Sequence, residues 1–62
     1  MTVRQLLRKF PYLEKITFCF EDGTTEEIHC DAPGSFHAVR KHHEKEVDRV
    51  YAMAASELRI HI

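Results

Sequence analysis

The sequence predicts a single small α+β domain over residues 1–62, opening with an N-terminal helix and a β-hairpin and ending either in a short helix and a C-terminal β-hairpin in a small antiparallel sheet or in one long C-terminal helix. Three observations carry that reading. Thr2 to Phe10 spaces its apolar residues helically, Lys15 to Cys30 alternates about Asp22-Gly23, and Leu58, Ile60 and Ile62 alternate at the end of the sequence.

In the first segment Thr2 is placed to cap a helix, Val3, Leu6, Leu7 and Phe10 form one stripe, and Pro11 ends it. That stripe belongs across the apolar face of a sheet, with Arg4, Arg8 and Lys9 in solvent. The hairpin follows, and its register comes from asking which residues share a face. A three-residue loop of Glu21, Asp22 and left-handed Gly23 sets Phe20 against Thr24 and Ile16 against Ile28, leaving Cys30 on the apolar side. A two-residue turn would put Ile28 on the wrong face. In the preferred register Cys19 lies on the opposite face, with Thr17, Thr25, Glu27 and His29, and too far from Cys30 for a disulfide.

Asp31-Ala-Pro-Gly-Ser35 reads as a turn, with Ser35 available to cap a helix from Phe36. Beyond it the pattern has two solutions. Phe36, Val39, His43, Val47, Val50, Tyr51, Ala54 and Leu58 fit one long amphipathic helix. Alternatively, Val50-Tyr51 pairs with Leu58 to Ile62 across an Ala54-Ala55-Ser56 turn. Local propensity favours the helix.

A chain of 62 residues with 9 Lys and Arg against 10 Asp and Glu has a formal charge of -1, which gives no general attraction to phosphate backbones or anionic membranes. Protonation of the five histidines below about pH 6.5 reverses that sign, so nucleic-acid binding confined to acidic buffer carries little weight. No apolar run approaches the roughly 20 residues of a membrane span, and Met1 to Arg4 lacks a signal-peptide apolar region. The expectation is a soluble cytoplasmic protein with reduced thiols.

Thr2-Val-Arg-Gln-Leu-Leu-Arg-Lys-Phe-Pro-Tyr-Leu-Glu-Lys-Ile-Thr-Phe18, the Asp22-Gly23 hairpin, and Glu46-Val47-Asp-Arg-Val50-Tyr51 through Leu58-Arg-Ile60-His-Ile62 resemble small proteins carried by phages and mobile elements of Firmicutes. Several of those are anti-CRISPR inhibitors. The resemblance implies that the opening helix precedes a strand pair and that the ending is a second strand pair; with that ending, a short helix near Phe36 to His43 comes before it, and the long C-terminal helix is the alternative. It also implies a CRISPR effector, an RNA-guided DNA nuclease of type II, as protein partner in the bacterial cytosol. No catalytic residue transfers from it, and Asp31 to Lys45 departs from it most.

That divergent segment carries the soft donors. Cys30, His37 and His42 or His43 have the donor types and spacing of a tetrahedral zinc site, with three to five residues between helical histidines. Such an ion would staple a domain that buries only about 60% of its unfolded surface. His29 points to the other sheet face. The competing reading makes the histidines a solvated stretch beside Glu44 and Glu46, and Cys30 a small buried hydrophobe. A Cys30 and His37 nucleophile pair lacks an oxyanion loop, Glu26 and Glu27 point to opposite faces, and neither glycine opens a phosphate loop.

Two function classes remain. One is a non-catalytic protein-binding inhibitor, with Glu21, Asp22, Glu26 and Glu27 available to meet a basic surface. The other is a small nucleic-acid-binding or regulatory protein using Arg40, Lys41, Lys45 and Arg49, which are interleaved with Glu44, Glu46 and Asp48. A homodimer through Tyr12, Tyr51 or an Ile60 to Ile62 edge is a further expectation.

Overall fold

The computed structural model describes residues 1–62, and its elements run α1 (Val3–Leu7), β1 (Lys15–Cys19), β2 (Thr25–His29), α2 (Ser35–Arg40), β3 (Arg49–Ala54) and β4 (Glu57–His61). The order is helix, hairpin, short helix, hairpin, and the long C-terminal helix does not form. Thr2 caps α1 through a capping box: its hydroxyl accepts from the Gln5 N–H at 3.2 Å, and the Gln5 side chain accepts from the Thr2 N–H at 2.9 Å. The helix is shorter than the Thr2 to Phe10 stripe. Lys9 and Phe10 close a turn on Leu6 and Leu7 before Pro11.

Ile16 pairs with Ile28, and the Phe20 N–H donates to the Thr24 carbonyl, so the three-residue loop sets the first register. Gly23 takes φ +88°, the left-handed conformation that loop needs. Asp22 fastens it by accepting from both the N–H and the hydroxyl of Thr24, which pulls its carboxyl below the ordinary range.

The sheet is mixed rather than wholly antiparallel. Its strand order is β2-β1-β4-β3, and β1 pairs with β4 in parallel, Ile16 beside Leu58 and Phe18 beside Ile60. Parallel pairing follows from the return path: after β2 the chain runs back along α2 and residues 41–47, so β3 starts at the opposite end and β4 re-enters alongside β1. The N-terminal stretch holds that path in place. Val3 and Arg4 N–H groups donate to the Lys45 and His43 carbonyls, and the Val47 N–H donates to the Met1 carbonyl.

Two rows of side chains cross the helix-facing side of the sheet: Ile28, Ile16, Leu58 and Ala52, then Glu26, Phe18, Ile60 and Val50. Val3 and Leu6 close over them, completing a core of seven buried apolar residues. On the far face Lys15 bridges Glu27 at 3.3 Å and Glu57 at 3.4 Å, above the buried Thr17. The two carboxylates raise the Lys15 ammonium above its ordinary value.

The α2 start also differs from expectation. Gly34, at φ +82°, occupies the capping position without a side-chain bond, and Ser35 is the first helical residue, its hydroxyl donating instead to the Cys30 carbonyl at 2.9 Å. Finally, β4 lies inside the sheet, so Ile60 and Ile62 are not an edge and β3 is.

Candidate functional site

The four proposed zinc donors are dispersed by the fold. Cys30 follows β2 and faces a groove between α2 and the α1–β1 connection, where burial and then Asp31 push its thiol above the ordinary value. His37 lies on exposed surface with Gly34, Ala38, Arg40 and Lys41, its ring edge-on to Phe36. His42 is buried. Its Nε2 lies 2.8 Å from a Glu26 carboxylate oxygen, and its ring sits against Phe18 and Phe20 at 4.6 and 5.5 Å between centroids. His43 is half-buried, and desolvation followed by the Arg4 and Arg40 charges lowers its pKa. Nowhere are three His, Cys, Asp or Glu side chains gathered as an ion would require.

The Glu26 and His42 pair is the polar feature most easily missed in the sequence. Glu26 shares strand parity with Ile28, so a carboxylate on the apolar face was itself the signal that a partner had to cover it. The carboxylate accepts from Nε2–H, and the remaining nitrogen, Nδ1, is buried with no partner. A general base needs that second nitrogen open to a substrate, and here it does not reach the surface. Cys30 and His37 do not form a catalytic pair either, since they line separate surfaces.

What the fold does assemble is an aromatic and cationic patch. Leu7, Phe10, Pro11, Leu13, Phe36 and Val39 line most of an apolar groove of about 280 Å³, floored by Ile16 and Cys30. Phe36 is 64% exposed and Phe10 is also exposed, while Tyr12, 87% exposed, does not line the groove. The Arg40 guanidinium lies 5.9 Å from the Phe36 ring centroid, a cation–π contact that holds both side chains at the rim.

No protein-family model, no curated protein and no solved structure matches this chain.

Phe10 and Phe36 read in sequence as stripe residues bound for a core. The available signal was supply against demand: Phe18 is the only aromatic among the seven core residues, so the remaining rings had to lie partly or wholly outside it. Their positions follow from chain punctuation, because Phe10 closes the turn before Pro11, and Gly34 caps α2 two residues before Phe36.

The basic residues of the nucleic-acid reading do not form a comparable stripe. Lys41 lies 4.0 Å from Glu26, Arg49 lies 3.6 Å from Asp48, and the Lys45 ammonium sits 5.3 Å from the Phe20 ring centroid. Arg40 is committed to Phe36. No helix of the structure is long and apolar enough to cross a membrane.

Proposed function

We propose that this chain is a protein-binding inhibitor without catalysis of its own, and that its partner is an RNA-guided DNA nuclease of type II. The observation that supports binding is the Phe10, Phe36 and Arg40 patch. Exposed aromatic rings and arginine are the side chains that dominate interface energetics, and here Phe10 and Phe36 line a groove able to receive an apolar anchor from a partner, with Arg40 beside Phe36. The nuclease enters through the likeness to phage-borne anti-CRISPR proteins. Such nucleases hold nucleic acid in positively charged channels, to which the carboxylates Glu21 and Asp22 at the hairpin tip, neither in a salt bridge, are complementary.

The nucleic-acid-binding alternative is tested in the same experiment. Tagged chain is mixed with guide-loaded nuclease at physiological salt, and separately with labelled duplex and single-stranded oligonucleotides. Retention of nuclease, with no oligonucleotide shift, supports the inhibitor reading. An oligonucleotide shift at that salt, with no nuclease retained, contradicts it.

A further inference from the structure

The two edges of the sheet are finished differently. On β2 the rows end in Glu26, held by His42, and Ile28, and the strand also carries Glu27 and His29, with α2 packed beside it. On β3 the same rows end in Val50 and Ala52, and all six residues from Arg49 to Ala54 are exposed. Charged residues and covering elements are how an edge is kept from pairing with another chain, and β3 has only a bulge at Ala52 to Ala54 and one cation at its start. Val50 adjoins the fully buried Ile60, yet is itself 40% exposed. The apolar row is interrupted at this edge rather than terminated.

We infer that the occupant of the β3 edge is a second copy of this chain, joined by antiparallel β3 pairing about a two-fold axis at Val50. The strand is self-complementary in that register. Val50 meets Val50 of the other copy on the helix side, which continues the row Phe18, Ile60, Val50 into the neighbouring core. On the far side Arg49 falls opposite Tyr51 twice, so cation meets ring, and no two like charges are directly opposed. Tyr51 is already positioned, its ring edge-on to His61 at 5.5 Å. Pairing ends before the bulge at Ala52 to Ala54.

The demand for such a partner comes from the core. Seven buried apolar residues are few for a chain whose cysteines are both free, and association is one of the ways small domains compensate. One short strand per copy is a small contact, at the low end of specific interfaces, so dilution is expected to separate the dimer. The groove lined by Phe10 and Phe36 stays open, because none of its lining residues comes from β3.

The test is solution mass against concentration for the chain itself, from low micromolar to about 1 mM, by sedimentation equilibrium. The expected result is a rise from 7.3 kDa toward twice that value. Val50→Lys and, separately, Tyr51→Lys should hold the mass at the monomer value, with circular dichroism unchanged because both residues are exposed. Amide exchange over residues 49–52 supplies a readout independent of either variant, and should slow as wild-type concentration rises. A chain that stays monomeric throughout, or a dimer of unaltered strength in Val50→Lys, overturns the inference.

Discussion

Substitutions along β4 offer the sharpest test of the fold, because the strand is central and its alternation is steep: Leu58 is 2% exposed, Arg59 is exposed, and Ile60 is fully buried. Total stability for 62 residues is about 3–9 kcal/mol at roughly 0.05–0.15 kcal/mol per residue. Ile60→Ala, at about 2–5 kcal/mol, removes much or all of that, so the graded change Ile60→Val is the better probe at about 0.5–1.5 kcal/mol. With roughly 4–8 °C lost per kcal/mol in a domain of this size, Ile60→Val should lower the melting temperature by about 2–12 °C. Arg59→Ala should stay within about 0.5 kcal/mol of wild type. Thermal melts followed by circular dichroism read both. Equal losses at residues 58 to 61 would refute the β4 strand, and losses recurring every three to four residues along the ending would restore a helix there.

Protonation gives a second prediction. His43 has its pKa lowered from 6.5 by burial and by Arg4 and Arg40, so the unfolded chain takes up that proton first. Its contribution to stability is complete above pH 6.5 and is lost as pH falls through the lower folded value. Melting temperature should therefore drop between about pH 7 and pH 5, and less so in His43→Gln; an identical slope in that variant would contradict the assignment. Asp22 and Glu27, both depressed by their hydrogen-bond partners, add losses only at more acidic pH, below their ordinary values of 3.8 and 4.5. For zinc, the dispersed donors predict that an equimolar addition leaves the melting temperature unchanged; a rise that chelator reverses and Cys30→Ser abolishes would show that the donors converge around an ion.

Much of the local structure was legible because short-range constraints determine it. Gly23 and the parity of Ile16, Phe18 and Ile28 leave one acceptable hairpin register, and the alternation of Leu58, Ile60 and Ile62 marks β4. The β1–β4 pairing was not legible, because both strands alternate equally well beside a parallel or an antiparallel neighbour. That choice depends on where the chain returns after α2, a long-range property fixed in part by the backbone bonds from Val3 and Arg4 to residues 43–45. The donor cluster illustrates the same limit. Spacing put Cys30, His37, His42 and His43 within plausible reach of one ion, but the end of α2 at Arg40 turns His42 inward to Glu26 and leaves His37 on the surface. Ser35 had the right identity for a cap, yet its hydroxyl is taken by the Cys30 carbonyl.

The aromatic patch carries the functional account, so the decisive measurement is guide-directed DNA cleavage by a type II nuclease, titrated with the wild-type chain and with Phe36→Ser. Phe36 is 64% exposed and outside the core, which keeps the fold intact when it is replaced. The account predicts that wild type suppresses cleavage in proportion to its concentration and that Phe36→Ser needs at least about tenfold more, the loss of roughly 1.4 kcal/mol or more expected of an interface anchor. Cleavage unaffected by the wild-type chain, or suppressed equally by Phe36→Ser, would contradict it.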